Sequence, residues 1–313
     1  MATIFAWPAD LKMRDPGLAL TVIVPAHACN LSCSFCAIRQ RKEIDATRLR
    51  PEDYVYFLDD IVASQPTAMI SIQGYEPLLP EAWSYTAAIL GRARELGVSR
   101  SLVTNGITLA ERAAELAALS PTGITVSIDS ADHAAHDKLR GKVGALAATL
   151  EGLRALVAHE DMARRISISS VLMPRKRHLL DGIPALMAEL GVTHWCVSPL
   201  LRIGHGQLGG AVAPSRVVID DVLHLHELAK SVGVEVVLDD ELSCLEARSE
   251  DYDQFLIRRF DRPDGLVRLT PSGALSVGRA ILRDVDVSTP VWDPSLSPRR
   301  FLRDAQAHFR AAA

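Results

Sequence analysis

The sequence predicts an α/β fold: a partial (β/α)6 open barrel followed by a C-terminal α+β extension. Three observations point to it. Six β-branched or apolar runs alternate with segments of helical spacing, the connections between them are short, and the alternation stops after the glycine-rich stretch Gly204-His205-Gly206 and Gly209-Gly210.

The elements follow in order. Leu20 to Val24 is an apolar, β-branched strand ended by Pro25. Pro51 to Ser64 sets Tyr54, Phe57, Leu58 and Ile61 at helical spacing, and Pro51 suits a first helical turn. Ala68 to Ile72 is the second strand, and Pro80 to Leu96 a helix stopped by Gly97. Strand Ser101 to Val103, helix Leu109 to Leu119, strand Gly123 to Ile128 and a helix around Ala145 to His159 come next. Strand Ile166 to Met173, a helix around Leu179 to Leu190 closed by Gly191, and strand His194 to Pro199 complete six units. Nearly continuous apolar strands suit a parallel sheet buried on both faces. Six units fall short of a closed eight-stranded barrel, and ligand groups in such folds sit at the C-terminal strand ends.

The expected division is residues 1–17 as a leading segment, 18–213 as the partial barrel and 214–313 as the extension. The extension reads as a helix (Ser215 to Ser231), a strand (Val234 to Leu238) and an acidic stretch (Asp239 to Asp253). A hairpin of Leu266 to Leu269 and Ala274 to Val277 turns around Pro271-Ser272-Gly273, and Arg299 to Arg310 forms a terminal helix.

Composition narrows the class. The chain has 313 residues, 48% hydrophobic and 23% charged, which excludes disordered, collagen-like and disulfide-scaffold proteins. No apolar stretch of about 18 residues is present, so no membrane span is expected. Met1 to Pro16 carries charges and Pro8 where a signal peptide needs an unbroken apolar run, so the expected compartment is the cytoplasm. A net charge of −4 gives no general attraction for phosphate backbones, which argues against a DNA-binding role.

Three of the five cysteines crowd into eight residues: Cys29, Cys33 and Cys36 form C-x3-C-x2-C directly after the first strand. In a reducing compartment such crowding reads as metal ligation rather than as a disulfide framework. Three thiolates hold three irons of a [4Fe–4S] cluster and leave the fourth iron open to another ligand. A zinc site completed by His27 is the alternative, a closed Cys3His tetrahedron.

The motif resembles the signature of radical S-adenosylmethionine (radical SAM) enzymes, with aromatic Phe35 before the third cysteine. Gly74-Tyr75-Glu76-Pro77 after the second strand is similar to the family's Gly-Gly-Glu-Pro motif, with Tyr75 a departure. Thr104-Asn105-Gly106 after the third strand resembles its Thr-Asn-Gly. Ser127-Ile128-Asp129, followed by His136-Asp137 and Arg140-Gly141, resembles a segment of the molybdopterin and SPASM/twitch branch. The resemblance covers roughly residues 18 to 206. It implies one [4Fe–4S] cluster on Cys29, Cys33 and Cys36, with SAM chelating the open iron. It also implies a SAM amino group held by Glu76 and the backbone of Gly74 and Tyr75. Ser127 would meet the ribose, with Asn105 and Asp129 as further candidates, and Arg140 would pair the SAM carboxylate. The adenine would rest near Met173 and Val197 to Leu200, including Ser198.

Relatives in that branch carry further cysteines for auxiliary clusters, whereas this sequence has only Cys196 and Cys244 left, too few for a second cluster. The hairpin then resembles such a module with its cysteines gone. Cys196, within a strand, reads as a small buried hydrophobe. Cys244 is a candidate hydrogen-atom donor, as in radical epimerases. The expected activity is SAM cleavage followed by hydrogen abstraction from a small polar metabolite of sugar, aminocyclitol or nucleoside type. The outcome would be redox-neutral or bond-forming; dehydrogenation and peptide or RNA modification are the rival outcomes, and a zinc-stabilised binding protein the non-enzyme one. The segment before the first strand is short for a leader-peptide-binding domain. Arg39, Arg41 and Lys42 are the candidate docking patch for an acidic reductant of flavodoxin or ferredoxin type.

Overall fold

A computed structural model describes residues 18–25, 29–36, 48–66, 68–200, 215–239, 256–258, 265–277 and 289–311. It is an α/β protein built on one mixed, mainly parallel sheet. The described residues hold ten strands: β1 (Ala19–Val24), β2 (Met69–Gly74), β3 (Ser99–Thr104), β4 (Gly123–Ser127), β5 (Ile166–Leu172), β6 (His194–Pro199), β7 (Glu235–Asp239), β8 (Leu256–Arg258), β9 (Leu266–Leu269) and β10 (Leu275–Val277). The helices are α1 (Pro51–Ser64), α2 (Pro80–Glu95), α3 (Leu109–Leu119), α4 (His133–Arg140), α5 (Ala145–Val157), α6 (Ile183–Glu189), α7 (Ser215–Ser231) and α8 (Pro298–Ala311).

The strand order is β10-β9-β1-β2-β3-β4-β5-β6-β7-β8. The first six strands are successive parallel neighbours, as the open-barrel reading requires. The parallel ladder is longer than expected, because β7 and β8 continue it past β6 while β9 joins β1 at the other edge. Strands from both sides of residue 213 therefore share one sheet, and among the described strands only β10, the second arm of the hairpin, runs antiparallel.

Two local readings change. The helix expected over Leu179 to Leu190 is a short 3-10 turn, Arg177–Leu179, followed by α6, because Pro184 starts a fresh helix in its first turn. α4 was not expected as a helix at all. Its face is made of His136, Leu139 and Arg140, so it lacks apolar periodicity, although Asp132 caps one end and Gly141 closes the other.

The strands are also less uniformly apolar than the sequence suggested. Leu20, Val22, Ile70, Ile72, Leu102, Ile124, Val126 and Ile168 pack with the helices in the main core. The alternate positions Thr21, Ser71, Ser101, Thr125, Ser167 and Ser169 are buried on the other face. There Thr125 and Ser167 pair at 2.9 Å, and Ser101 Oγ donates to the Ile70 carbonyl.

Helices hold the strand ends at fixed distances. Tyr54 of α1 donates its hydroxyl to the Ile23 carbonyl at 2.9 Å. Asp60 of α1 accepts from the Arg299 amide at 2.8 Å and the Ser297 hydroxyl at 2.9 Å, capping α8 from a neighbouring helix. Gly152 of α5 lies against the start of α3, where a Cβ would sit 2.6 Å from Leu109 Cβ and 3.1 Å from the Gly106 carbonyl. Alanine normally improves a helix by roughly 1 kcal/mol over glycine. Here overpacking reverses the sign, so Gly152→Ala is expected to lower stability by about 1–3 kcal/mol in urea unfolding. A stabilised Gly152→Ala protein would contradict the close α3–α5 approach.

Candidate active site

The loop after β1 presents Cys29, Cys33 and Cys36, all half-buried. It is fastened to the C-terminal end of α4 by backbone bonds. The Ser32 amide donates to the Arg140 carbonyl and the Ser34 amide to the Leu139 carbonyl, each at 3.1 Å. The Ser32 hydroxyl donates to the Gly141 carbonyl, also at 3.1 Å. Gly141 has a left-handed φ of +70°, and a Cβ there would lie 2.3 Å from Ser32 Oγ and 2.7 Å from the Ser32 carbonyl oxygen. Only glycine satisfies both the turn and the contact.

Arg140 ends α4 and turns inward. Its Nη2 lies 2.6 Å from Asp129 Oδ2, its guanidinium sits 5.3 Å over the Phe35 ring, and Nη1 is 4.0 Å from Cys33 Sγ. Asp129, just past β4, accepts from the Val171 amide at 2.8 Å, which ties the arrangement to β5. His136 Nδ1 accepts from the Asp129 amide at 3.2 Å. Burial, and then the Arg140 charge, push His136 down to about 4, so its ring is neutral and serves as a fixed acceptor.

Glu76 follows β2 and is buried. Thr104 Oγ1 donates to it at 2.6 Å, the Asn105 amide at 2.7 Å and the Leu78 amide at 3.1 Å. Burial lifts its carboxyl to about 7 against the pull of these three bonds and of Arg140. Asn105 bridges onward: its Nδ2 donates to Asn30 Oδ1 at 2.7 Å and lies 3.7 Å from Cys29 Sγ, while Thr149 of α5 donates to its carbonyl at 2.9 Å. Two glycines permit these strand ends to meet. A Cβ on Gly74 (φ +146°) would stand 2.8 Å from the Val24 carbonyl oxygen, and one on Gly106 (φ +83°) 2.6 Å from Thr149 Cγ2.

Burial first, then the Glu76 charge, pushes the Cys29 thiol up to about 12, and burial raises Cys33 against the opposing Arg140 charge. Without metal these thiols hold their protons. A polycationic centre that ionises thiols outright matches this donor set. Cys29, Cys33 and Cys36 on one loop provide a set of three thiol donors.

The structure thus brings together Cys29, Cys33, Phe35, Glu76, Asn105, Asp129 and Arg140, with Cys36 on the same loop. Ser127 is half-buried at the end of β4, in register with Ser169 of β5. Tyr75 packs against the main core, and the Pro77 carbonyl accepts from Thr86 Oγ1 at 2.8 Å. Val197 packs among the helix-facing core residues rather than on the site's face; its neighbour Ser198 is buried as well. Cys196 is buried, as expected. His27, Arg39, Arg41, Lys42 and Cys244 lie outside the described residues, as does residues 240–253 of the acidic stretch. Asn30, Ser32 and Thr149 were not anticipated; no local pattern marks them, since each acts through a partner distant in sequence.

Residues 23–175 match the family model described as the Radical SAM superfamily, a span that runs from within β1 to just past β5. These residues form a radical SAM domain. The chain is 28% identical over 211 residues to an AdoMet-dependent heme synthase of Methanosarcina barkeri, covering 66% of this chain and 58% of that protein. It is 33% identical over 132 residues to a GTP 3',8-cyclase 2 of Mycobacterium bovis, covering 42% of this chain and 36% of that one. The chain spans about half the length of the curated relatives it matches. In fold it is similar to SuiB of Streptococcus suis bound to the precursor peptide SuiA, with a TM-score of 0.72 at 13% identity over 94% of this chain and 66% of that one. It is also similar to anSMEcpe with bound AdoMet, with a TM-score of 0.63 at 12% identity over 93% and 82% of the two chains. Radical SAM proteins use a [4Fe–4S] cluster and SAM, and the three-thiol, cation-requiring loop fits such a cluster.

Glu76 offers a test on the metal-free radical SAM fold. Its carboxyl keeps a proton to about pH 7 when folded, against a usual value of 4.5. A raised acid stabilises the fold least above its folded value, so its contribution falls as pH rises from about 4.5 to 7. Relative to Glu76→Gln, the wild-type unfolding free energy is expected to drop by on the order of 3 kcal/mol between pH 5 and pH 8. A difference that does not change with pH would contradict the buried, protonated carboxyl.

Proposed function

We propose that this chain is a radical SAM enzyme in which Cys29, Cys33 and Cys36 hold one [4Fe–4S] cluster, and that it acts on a small polar metabolite. The observation that carries the reading is the convergence of three strand ends on the cysteine loop: Glu76 after β2, Asn105 after β3, and Asp129 with Arg140 after β4. When bound and reduced, the cluster supplies the electron that splits SAM into methionine and a 5′-deoxyadenosyl radical able to abstract hydrogen.

The protein's own residues then bind and orient. Glu76, as a buried carboxylate beside an ammonium, suits the SAM amino group, since a neighbouring cation restores the charge that burial disfavours. Arg140 has a planar fork already aligned by Asp129 and Phe35, which suits a carboxylate approaching from the loop side. Ser127 and Ser198 are the candidate hydroxyl contacts for the nucleoside. The substrate class, of sugar, aminocyclitol or nucleoside type, rests on analogy with the family and on no particular residue. The relatives named for heme, GTP and peptide chemistry leave those substrate classes as the competitors to test.

Anaerobic reconstitution decides the activity. About four irons per chain are expected, with SAM cleavage read as 5′-deoxyadenosine after chemical reduction. Cys29→Ala, Cys33→Ala and Cys36→Ala are each expected to lose most of the iron and at least a hundredfold in cleavage, roughly the loss of one essential ligand group. Full iron and cleavage in the triple variant, or eight irons in the wild type, would overturn the single-cluster reading. Deuterium passing from a labelled sugar or nucleoside into 5′-deoxyadenosine identifies the substrate class; transfer only from a porphyrin or a peptide would refute the small-metabolite assignment.

A further inference from the structure

Three arginines meet at the N-terminal ends of β3, β4 and β5, and among the described residues no carboxylate pairs with them. Arg94 lies in the last turn of α2, Arg100 near the start of β3, and Arg165 at the end of the 3-10 turn Ala163–Arg165 ahead of β5. All three reach the C-terminal end of α3, which Ser120 closes at a left-handed φ of +51°. Arg94 Nη1 donates to the Ala118 carbonyl at 2.5 Å, and Arg100 Nη2 to the Ser120 carbonyl. Arg165 Nη1 donates to the Ser120 hydroxyl at 2.6 Å and the Pro121 carbonyl at 3.1 Å. Nearby acids are engaged elsewhere: Glu95 by Arg92 and Glu115 by Arg112, each at 2.7 Å, and Asp161 by Arg164.

Capping a helix accounts for only part of this charge. The end of a helix carries about half an elementary negative charge, so three guanidiniums leave roughly 2.5 positive charges unbalanced. Burial, then the charges of Arg94 and Arg165, hold Arg100 below the ordinary arginine value, as expected of cations that repel one another. The bonds to α3 also leave donors uncommitted. Arg94, which is exposed, and Arg165, which is half-buried, each use Nη1 and keep the Nε–Nη2 edge, two parallel N–H groups that fit an oxyanion. We propose that Arg94, Arg100 and Arg165 form a binding site for a phosphate dianion, either inorganic phosphate or the terminal phosphate of a nucleotide. A charge of −2 offsets most of the excess, whereas a carboxylate offsets less than half. Two guanidinium edges offered together also suit the several oxygens of a phosphate better than the pair on a carboxylate. Glu76, Asn105 and Asp129 follow the opposite, C-terminal strand ends, so this site is separate from the cysteine loop and independent of the reaction there.

The test is isothermal titration calorimetry of the anaerobically reconstituted full chain with inorganic phosphate and, separately, with ADP, at constant ionic strength set by chloride. Saturable binding of one phosphate per chain is expected. The double variant Arg94→Gln/Arg165→Gln, which keeps an N–H donor at each position but removes both charges, should weaken it about tenfold or more. Arg94→Gln alone, at an exposed position, should weaken it about threefold. Both variants should retain wild-type 5′-deoxyadenosine formation with dithionite. Tighter binding of ADP than of phosphate, weakened by the same variants, assigns the site to a nucleotide; equal or weaker binding assigns it to the free ion. Absence of saturable binding by either ligand, or binding that the double variant leaves unchanged, would overturn the site. Urea unfolding separates it from a capping role, because relief of the repulsion should leave the phosphate-free double variant at least as stable as the wild type. A double variant destabilised equally with and without phosphate would mean that the arginines only cap α3.

Discussion

The structure depends on the fastening of one loop to one helix end. Backbone bonds from Ser32 and Ser34 to the last residues of α4 put the cysteine loop where the ends of β2, β3 and β4 can reach it. Everything else at the site reinforces that junction. Gly141 makes room for it, Arg140 crosses it to reach Asp129 and Cys33, and Phe35 lies beneath the guanidinium. A loop with three thiols has little to hold it by hydrophobic packing, so main-chain hydrogen bonds to a rigid element serve instead.

Charge at the junction is arranged around a group still to come. A buried carboxyl, a buried ion pair and raised thiols lie close together, a combination that costs stability unless a ligand completes it. The neutral His136 and the paired Arg140 fix the scaffold, while burial holds Glu76, Cys29 and Cys33 toward their protonated forms until a cationic partner offsets it. Stability is thus exchanged for preorganisation where the cofactors bind, and the helix-packed strand face compensates with a large continuous core.

Much of this was legible in the sequence. The cysteine spacing, Glu76, Thr104-Asn105-Gly106 and the Asp129 to Arg140 segment are local signals, and each stands at the end of the strand where it was placed. Helices α1 and α3 matched because Pro51 and the leucine-alanine spacing of Leu109–Leu119 specify them locally. α4 escaped because its buried side chains are a histidine, a leucine and an arginine, which only tertiary contacts explain. The pairing of β7, β8 and β9 escaped for another reason: parallel pairing partners are chosen over long range and leave no local mark. Val197 misled because period-two alternation sends neighbouring residues of β6 to opposite faces, and only the register decides which.

Three cysteines holding three irons of a [4Fe–4S] cluster would leave one iron open for SAM. Electron–nuclear double resonance of the reduced, reconstituted protein with SAM labelled by nitrogen-15 at the amino group and oxygen-17 at the carboxylate tests it directly. Strong hyperfine coupling from both labels to the cluster is the result expected, because both groups would bind the same iron. A reduced four-iron cluster whose spectrum is unchanged by labelled SAM would contradict it.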